Sequence, residues 1–290
     1  MRVLVLGGTG SIGAPVLSEI VARGHEVIAL ARSETAARKL ADLGAQPLPG
    51  DIGEPGRWLP ALPALHAVVH MACDFASAMA EIERRLLDAL LPYLARSSGR
   101  SKFIYTGGCW LYGATHGKLV TETAPFQPLP AFAWMVPHLQ RVLAADGIDP
   151  IVIHPAMVYE AGGGVFHRFV TDARAKRPTE IAGSEQVRWP LVHRQDLARL
   201  YALAMESKAA RTSFIGASID GLAVGAIARA FAKRFGAPEA VVVSADAVAA
   251  ELGEWARGRA LDQLLSGAKA IRELGWKPEH TDPISEIAAI

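Results

Sequence analysis

The fold is decided by residues 3–30, which read VLVLGGTGSIGAPVLSEIVARGHEVIAL. A short apolar run at 3–6 ends in glycines, and apolar residues then recur at helical spacing over 11–23. Gly24 ends that helix, and a second apolar run follows at 27–30. Strand, glycine loop, helix and strand thus occupy about 30 residues, the size of one βαβ unit. The pattern predicts the start of a parallel sheet.

The glycine loop between the first strand and the first helix has the spacing Gly7-x-x-Gly10-x-x-Gly13. Gly7 permits the tight turn, Gly10 lets a pyrophosphate approach the backbone, and Gly13 lets the helix pack on the strand. The helix N-terminus then offers N–H groups and the positive end of its dipole. The alternative, an ordinary glycine-rich turn, is disfavoured by the βαβ context. We predict a dinucleotide loop made of Gly7, Thr9, Gly10, Ser11, Ile12 and Gly13.

The residues after the second strand determine whether NAD or NADP is the preferred dinucleotide. An acidic residue there would bond the ribose hydroxyls of NAD and repel the 2′-phosphate of NADP. This chain has Ala31 followed by Arg32 and Ser33. A guanidinium can pair with the phosphate and stack on adenine, and a hydroxyl can donate a hydrogen bond. We predict NADP in preference to NAD; the alternative for Arg32 is a solvated surface residue.

Strands and helices continue to alternate as far as residue 154, and the rhythm then changes. The strands are continuous apolar runs, which is typical of a parallel sheet covered on both faces. We predict an α/β fold with a doubly wound parallel sheet (Rossmann) and a smaller C-terminal α/β substrate lobe. The expected Rossmann domain is 1–158 with 187–216 returning to it, and the expected lobe is 159–186 with 217–290.

Composition narrows the class of protein. The chain has 290 residues, 51% of them hydrophobic, and a net charge of +1, which gives no electrostatic reason to expect nucleic acid or an anionic membrane. Two cysteines, Cys73 and Cys109, make neither a disulfide framework nor a metal cluster, so we expect no metal. The apolar N-terminus enters the glycine loop without a cleavage pattern, and we expect a cytoplasmic protein that spans no membrane.

Further motifs together resemble the extended short-chain dehydrogenase/reductases of the NAD-dependent epimerase/dehydratase type, along nearly the whole chain. Besides the glycine loop they are Gly50-Asp51-Ile52, His70-Met71-Ala72, Tyr105-Thr106 leading to Leu111-Tyr112-Gly113, His154 to Tyr159, Val192 to Ala198, and Leu274 to Pro278. The resemblance implies cofactor contacts at the strand ends. These are Asp51 and Ile52 at the adenine, Ala72 towards the nicotinamide ribose, Thr106 on the floor of the active site, and Pro155 and Met157 beside the nicotinamide.

The proton-transfer residues of that family are missing from this chain. The family uses a Ser or Thr and a Tyr-x-x-x-Lys pair, in which the lysine lowers the pKa of the phenol. The resemblance places Gly108 at the Ser/Thr position and Phe132 and Val136 at the Tyr and Lys positions. None of these side chains transfers a proton, and the predicted helix 131–145 contains neither Tyr nor Lys.

A relocated proton donor has several candidates. Tyr112 lies after the fifth strand, Thr106 ends that strand, and His138 shares a helix face with Trp134, four residues earlier. Weaker candidates are Cys109, Asp74 and His116. The alternatives are structural: a phenol packed in a Tyr-Gly turn, a surface histidine and a small buried thiol. We expect His154 and His193 to be structural.

Three functions fit these observations. We favour an atypical NADP-dependent oxidoreductase acting on a small carbonyl or alcohol substrate. The second is a catalytically silent, redox-sensing or regulatory NADP-binding protein, since the family's whole proton-transfer set is lost. The third is a sugar-nucleotide epimerase/dehydratase-like enzyme, which needs a basic diphosphate clamp. Candidates for that clamp are Arg168, Arg174, Lys176 and Arg188.

The substrate and the oligomeric state are less constrained. If enough of the nearby aromatic residues line the cleft rather than the core, the substrate is apolar or aromatic. Those residues are Trp110, Phe126, Phe132, Trp134, Phe166 and Trp189. We expect a small-molecule partner and a monomer or homodimer. The resemblance suggests a dimer through helices at 76–95 and 131–145, but Pro137 weakens that inference.

Overall fold

The computed structural model of the chain describes residues 1–73, 78–96 and 99–290. Its strands are short apolar runs, as the sequence predicts. They are β1 (Arg2–Leu6), β2 (Glu26–Ala31), β3 (Gln46–Pro49), β4 (Ala67–His70), β5 (Ser101–Thr106), β6 (Ile148–Pro155), β7 (Met157–Glu160), β8 (Gly163–Gly164), β9 (Glu180–Ala182), β10 (Arg188–His193), β11 (Thr212–Gly216), β12 (Ile219–Ala223) and β13 (Val241–Val243).

The helices connect these strands and cover the sheets. They are α1 (Gly13–Ala22), α2 (Glu34–Asp42), α3 (Pro55–Trp58), α4 (Met79–Ala95), α5 (Met135–Ala144), α6 (His167–Arg174), α7 (Arg194–Glu206), α8 (Val224–Phe235), α9 (Ala245–Leu252), α10 (Ala268–Leu274) and α11 (Pro283–Ala289). Within the described residues, no helix has the length and apolar character needed to cross a membrane.

Seven strands form a parallel sheet in the order β11-β6-β5-β4-β1-β2-β3. Side chains of β1 alternate, so that Val3 and Val5 join the core under α1 and α7, while Leu4 and Leu6 join the core under α4 and α5. The strand order reverses between β1 and β4, and ligands of such sheets bind beyond the strand ends at that point. The predicted doubly wound α/β fold is confirmed.

Smaller sheets carry the rest of the strands. A four-stranded sheet has the order β12-β10-β7-β8, and β13 pairs with β9. The returning segment 187–216 therefore supplies β10 to the small sheet and β11 to the large one. The division of the chain into the two lobes, with bounds at 159–186 and 217–290, stays a prediction.

The helix predicted at 131–145 is shorter in the structure. Pro130 opens a 3-10 turn, Pro130–Phe132, and α5 begins only at Met135. Pro137 then falls in the first turn of α5, where a missing N–H costs nothing. The helix predicted at 76–95 begins at Met79, and residue 76 lies outside the described residues. A dimer through these helices stays a prediction.

Candidate functional site

Two glycines of the loop after β1 are required by the packing of the chain itself. A Cβ atom at Gly13 would lie 1.9 Å from the carbonyl oxygen of Gly7. Gly7 has φ +88°, and a Cβ there would lie 2.6 Å from the amide nitrogen of Ala72. These contacts bring the β1 loop against the segment after β4, so a side chain at either glycine would push the two apart.

Gly10 differs from its two partners. A Cβ there would meet only the Gly7 carbonyl oxygen, at 3.4 Å, which is ordinary van der Waals contact, and Gly10 is exposed. Among the described residues nothing excludes a side chain at this position. A bare backbone at Gly10 therefore leaves room for a group from outside the chain.

The helix that follows the loop presents its N-terminus at the same place. Ile12 is the N-cap of α1 and no side chain caps the helix, whereas α2 is capped by Ser33. Thr9 and Ser11 are exposed beside Gly10. Unpaired amides and the positive end of the helix dipole attract anions, so the geometry of this loop suits a diphosphate.

Arg32 lies just beyond the end of β2 and is exposed. Its guanidinium makes no hydrogen bond or ion pair with any part of the chain that the structure describes. The neighbouring Ser33 uses its Oγ to accept a hydrogen bond from the Ala36 amide at 3.2 Å. That bond uses a lone pair of the hydroxyl and leaves its hydrogen for another acceptor.

The adjoining strand ends place the other predicted cofactor residues. Asp51 and Ile52 follow β3 and are half-buried. The Asp51 Oδ1 accepts a hydrogen bond from the Gly53 amide at 2.7 Å, which fixes the turn. Ala72 lies against Gly7, while Pro155 ends β6. Met157 opens β7 and is buried. The loop, Asp51 and Ala72 thus lie on neighbouring strands, and contact with a cofactor stays a prediction for all of them.

A buried hydrogen bond between His70 and Glu83 fixes the segment that ends at Ala72, and sequence reasoning missed it. His70, at the end of β4, donates from Nε2 to the Glu83 carboxylate at 3.0 Å and accepts from the Ala72 amide at 3.4 Å. Burial alone would raise the pKa of Glu83, but the adjacent His70 and the Tyr105 phenol hold it below its usual value. The signal was Glu83 itself, a charged residue in the buried stripe of α4.

Thr106 ends β5, as predicted, and its hydroxyl makes two hydrogen bonds within the chain. Its Oγ1 donates to the His70 carbonyl oxygen at 2.7 Å and lies 2.7 Å from the Tyr201 phenol oxygen. Tyr201 is fully buried on α7, and that burial raises its pKa. The bonds tie β5 to β4 and α7, which makes Thr106 a positioning residue in this structure.

Aromatic packing occupies the place of the missing tyrosine. Phe132 is 6% exposed and its ring centroid lies 5.3 Å from that of Trp110. Trp110 also stacks with Trp255 at 6.2 Å, and we call Phe132, Trp110 and Trp255 the aromatic ladder. At Gly108, in contrast, a Cβ would meet no described atom within 4 Å. The position of the missing Ser/Thr is thus open, and that of the missing Tyr is filled.

Tyr112 is buried beside His154, with 5.3 Å between ring centroids in an edge-on arrangement. The Tyr112 hydroxyl and both His154 ring nitrogens lack a hydrogen-bond partner within residues 1–73, 78–96 and 99–290. Burial raises the pKa of Tyr112 and lowers that of His154 to about 4. A Cβ at Gly107 would lie 2.4 Å from His154 Nδ1, so glycine is needed there.

The other donor candidates differ from Tyr112 in their contacts, protonation or exposure. The His138 Nε2 bonds to the Ala80 carbonyl oxygen at 3.2 Å, so His138 faces α4. Burial raises the pKa of the Cys109 thiol to about 12, which keeps it protonated. His116 is exposed with φ +50°, and Asp74 lies outside the described residues. The structure brings Tyr112 together with His154, whereas His138 is bonded to the backbone of α4.

A histidine pair lies where β10 meets α7. His193 and His280 stack with 3.7 Å between centroids, and the His280 Nδ1 lies 3.2 Å from Glu286. These three residues offer metal-ligand atoms within 4.8 Å of one another. However, the His193 Nδ1 accepts a hydrogen bond from the Gln195 amide, and stacked rings do not aim their lone pairs at a common point. The arrangement is typical of a structural contact between His193 and the C-terminal segment, as expected for His193.

The predicted diphosphate clamp is largely neutralised within the chain. Arg168 pairs with Glu180, and Arg188 pairs with Asp262, each at 2.5 Å. Arg174 lies over the ring of Phe235 at 5.5 Å, and Lys176 donates to the Phe235 carbonyl. Arg168 and Arg188 are therefore compensated by acids.

Residues 3–216 match the family model described as the NAD dependent epimerase/dehydratase family. The chain belongs to this family. It is 27% identical over 297 residues to the uncharacterized protein C2A9.02 of Schizosaccharomyces pombe, covering 100% of this chain and 99% of that protein.

Solved structures share the fold of this family member. The human epimerase family protein SDR39U1 with NADPH has a TM-score of 0.76 at 20% identity, covering 100% of this chain and 99% of that one. The UDP-glucose 4-epimerase of Thermus thermophilus, in complex with NAD, has a TM-score of 0.78 at 21% identity, covering 99% and 97%. The predicted family and the Rossmann-type fold are confirmed, and the family binds nicotinamide dinucleotides.

Proposed function

We propose that this protein binds NADP(H) at the β1–α1 loop and reduces a small carbonyl substrate in the cleft beyond β5. The observation that carries the proposal is the combination of two features that internal contacts do not explain. Gly10 is exposed and has room for a side chain that it lacks, and the Arg32 guanidinium has no partner among the described residues. Both features suit a phosphate-bearing ligand.

The chain's own residues divide the work of binding. The amides of the uncapped α1 N-terminus hold the diphosphate, and Arg32 holds the 2′-phosphate. Asp51, fixed by the Gly53 amide, borders the adenine, and Ala72, fixed by His70, borders the nicotinamide ribose. SDR39U1 was solved with NADPH, which supports this choice of dinucleotide.

Proton delivery falls to Tyr112 in this proposal. When bound, the nicotinamide supplies the hydride. Among the described candidates, Tyr112 combines a proton with a hydroxyl that has no internal partner, while Thr106 and His138 are already bonded to backbone carbonyls. Burial keeps the pKa of Tyr112 above its ordinary value, so the phenol stays protonated. The protonated phenol is the form that can give a proton to the carbonyl oxygen when the carbon accepts the hydride, which is the protonation state that carbonyl reduction needs.

The neutralised arginines favour a small substrate over a sugar nucleotide. Acids already pair with Arg168 and Arg188, so a diphosphate would have to break two ion pairs to use them. Trp110, in the loop after β5, is half-buried and packs against Phe132 and Trp255, so the side chains near that end of the sheet are largely apolar. An apolar or aromatic carbonyl compound therefore suits the cleft best.

A silent NADP-binding protein is the second candidate, and one observation favours it. Phe132 fills the tyrosine position and is buried by Trp110, so the usual acid is replaced by packing. Such a protein would bind the oxidised and reduced dinucleotides and convert neither.

The deciding experiment is calorimetric titration with NADPH, NADP, NADH and NAD, followed by NADPH oxidation with a panel of ketones, aldehydes and enones. We expect saturable binding of NADPH that exceeds that of NADH, and turnover of an aromatic member of the panel. Binding without turnover, together with a partner protein that associates with one redox form, would establish the silent protein. Failure to bind any of the four dinucleotides would contradict both candidates.

A further inference from the structure

Gln263 is a buried amide in the segment between α9 and α10, and it is only 1% exposed. Its Nε2 donates one hydrogen bond to the Cys109 carbonyl oxygen at 2.9 Å and another to the Gly113 carbonyl oxygen at 2.7 Å. The amide nitrogen carries two hydrogens, so both are used on the backbone. The acceptors are the first residue of the 3-10 turn Cys109–Tyr112 and the residue that caps its C-terminal end. One side chain therefore bridges both ends of this turn.

This turn depends on contacts from other parts of the chain, because hydrogen bonds at its own ends are long. The Leu111 amide donates to the Gly108 carbonyl oxygen at 3.3 Å, and the Gly113 amide donates to the Trp110 carbonyl oxygen at 3.4 Å. Short 3-10 turns have poor hydrogen-bond geometry and leave end groups for outside partners. The residues whose carbonyls Gln263 reaches are both buried, so water does not readily take its place.

The segment that carries Gln263 is itself held on two sides. On one side the Asp262 carboxylate pairs with Arg188 of β10 at 2.5 Å, and the Gln263 amide donates to the Arg188 carbonyl oxygen at 3.0 Å. On the other side the Thr115 amide donates to the Asp262 carbonyl oxygen at 3.0 Å, and the Leu264 amide donates to the Thr115 hydroxyl oxygen at 2.9 Å. Gln263 is therefore anchored to the small sheet, while its side chain holds the loop after β5.

The turn held by Gln263 carries Tyr112, the proposed proton donor. The ring of Tyr112 contacts Phe126 and His154, with centroid distances of 5.2 and 5.3 Å, and its hydroxyl has no hydrogen-bond partner among residues 1–73, 78–96 and 99–290. Ring packing and the backbone of the turn therefore orient the phenol. The same turn carries Trp110 of the aromatic ladder, whose buried indole nitrogen also lacks a partner in the described chain. A shift of the turn would move both groups together.

We propose that Gln263 is a positioning residue for proton delivery, because its amide sets the place of the turn from which Tyr112 acts. The inference rests on the proposed function, since it concerns the donor of that same reaction. The family model matches residues 3–216, so Gln263 lies outside the matched part of the chain. A residue of the C-terminal segment thus contributes to the catalytic loop. The competing explanation is that Gln263 only stabilises the fold.

The test is a double-mutant cycle that combines Gln263→Met with Tyr112→Phe. Methionine keeps the length of the side chain and removes both N–H donors. The measurements are the NADPH affinity and kcat for NADPH oxidation with the fastest member of the carbonyl panel, 2-naphthaldehyde being the first probe. We expect Gln263→Met to lower kcat by about 10- to 100-fold, the scale of a misplacement of about 1 Å, with unchanged NADPH affinity. In the Tyr112→Phe background it should have no further effect, because Gln263 acts through Tyr112.

Ser101→Ala is the matched control. The Ser101 Oγ is buried at the start of β5 and donates to the Leu65 carbonyl oxygen at 2.9 Å. The change therefore also removes a buried donor from a backbone acceptor, at the opposite end of the strand from Tyr112. We expect it to lower the free energy of unfolding in urea and to leave kcat unchanged. A merely structural role of Gln263 would give that same result for Gln263→Met.

Three results would overturn the proposal: an unchanged kcat in Gln263→Met, an equal loss of kcat in both backgrounds, or a loss shared by Ser101→Ala. If Gln263→Met does not fold, Gln263→Asn replaces it, because it withdraws the amide from both carbonyls by one methylene. If Tyr112→Phe has no measurable turnover, amide exchange of residues 109–113 decides. Faster exchange in Gln263→Met than in Ser101→Ala, together with the lower kcat, supports the proposal, and equal exchange overturns it.

The same measurements separate this inference from the proposed function. A wild type that turns over no carbonyl contradicts the proposed function, and the role of Gln263 in proton delivery falls with it. An active wild type with an unaffected Gln263→Met contradicts the inference alone.

Discussion

The glycine loop after β1 and the loop after β5 lie at the same edge of the sheet, but they are built differently. In the glycine loop, packing explains Gly7 and Gly13, and the one glycine that packing does not explain is exposed. Beyond β5, buried polar atoms of Trp110, Tyr112 and His154 lack partners in the described chain. The glycine loop thus has the spacing and exposure expected of a dinucleotide loop, whereas aromatic side chains pack around the loop after β5.

The largest expected effect is a difference in stability between substitutions at Gly13 and at Gly10 of the glycine loop. Gly13→Val should destabilise the protein by about 1–3 kcal/mol or more, because its Cβ would lie 1.9 Å from a carbonyl oxygen. Gly10→Val should change the free energy of unfolding by less than about 0.5 kcal/mol and abolish NADPH binding. Urea unfolding and calorimetry measure the two effects. Normal NADPH affinity in a folded Gly10→Val protein would refute the loop assignment.

Local features such as the glycine loop could be predicted from the sequence, whereas features that depend on tertiary contacts could not. The glycine loop and the start of the parallel sheet follow from local spacing, because turn, helix start and strand lie within 30 residues. The family was predicted from the resemblance of several motifs along the chain. The Glu83–His70 pair was missed, because it depends on how α4 docks on β4.

The second effect concerns His154, which lies near the end of β6 and packs against Tyr112 of the loop after β5. Its pKa falls from 6.5 in the unfolded chain to about 4 in the fold, because the ring is completely buried. The unfolded state therefore binds a proton first as the pH falls, and stability that is fully present above pH 6.5 is lost towards pH 4. At about 1.4 kcal/mol for each pKa unit, the loss is roughly 3 kcal/mol.

Urea unfolding at a series of pH values tests this expectation. His154→Phe should flatten the decline between pH 6.5 and pH 4, since a ring without nitrogens suits the buried site. His193 shares the direction of shift, so a smaller decline should remain in that variant. The exposed His116→Ala is the control and should leave the curve of the wild type. An unchanged slope in His154→Phe would show that another group governs acid stability.

The third effect returns to the cofactor half of the site. Arg32→Asp should shift the preference from NADPH towards NADH by about 1–3 kcal/mol, because it replaces a phosphate partner with a group that repels phosphate. Arg38→Asp is the matched control, since Arg38 is an exposed arginine of α2 that bonds to Thr35. Paired titrations of the two dinucleotides measure the ratio. An equal shift of the NADPH-to-NADH preference in both variants would show that Arg32 acts only through general surface charge.

The smallest effect concerns Tyr112, in the loop after β5. Tyr112→Phe removes a buried hydroxyl that has no partner among the described residues, so it should stabilise the protein by up to about 1 kcal/mol. If Tyr112 delivers the proton, the same change lowers kcat for NADPH oxidation and leaves the affinity for NADPH unchanged. A structural phenol would show the gain in stability alone. Stability and kcat measured on this one variant therefore distinguish a proton donor from a ring that serves only packing. His138→Ala is the control and should alter neither kcat nor NADPH affinity.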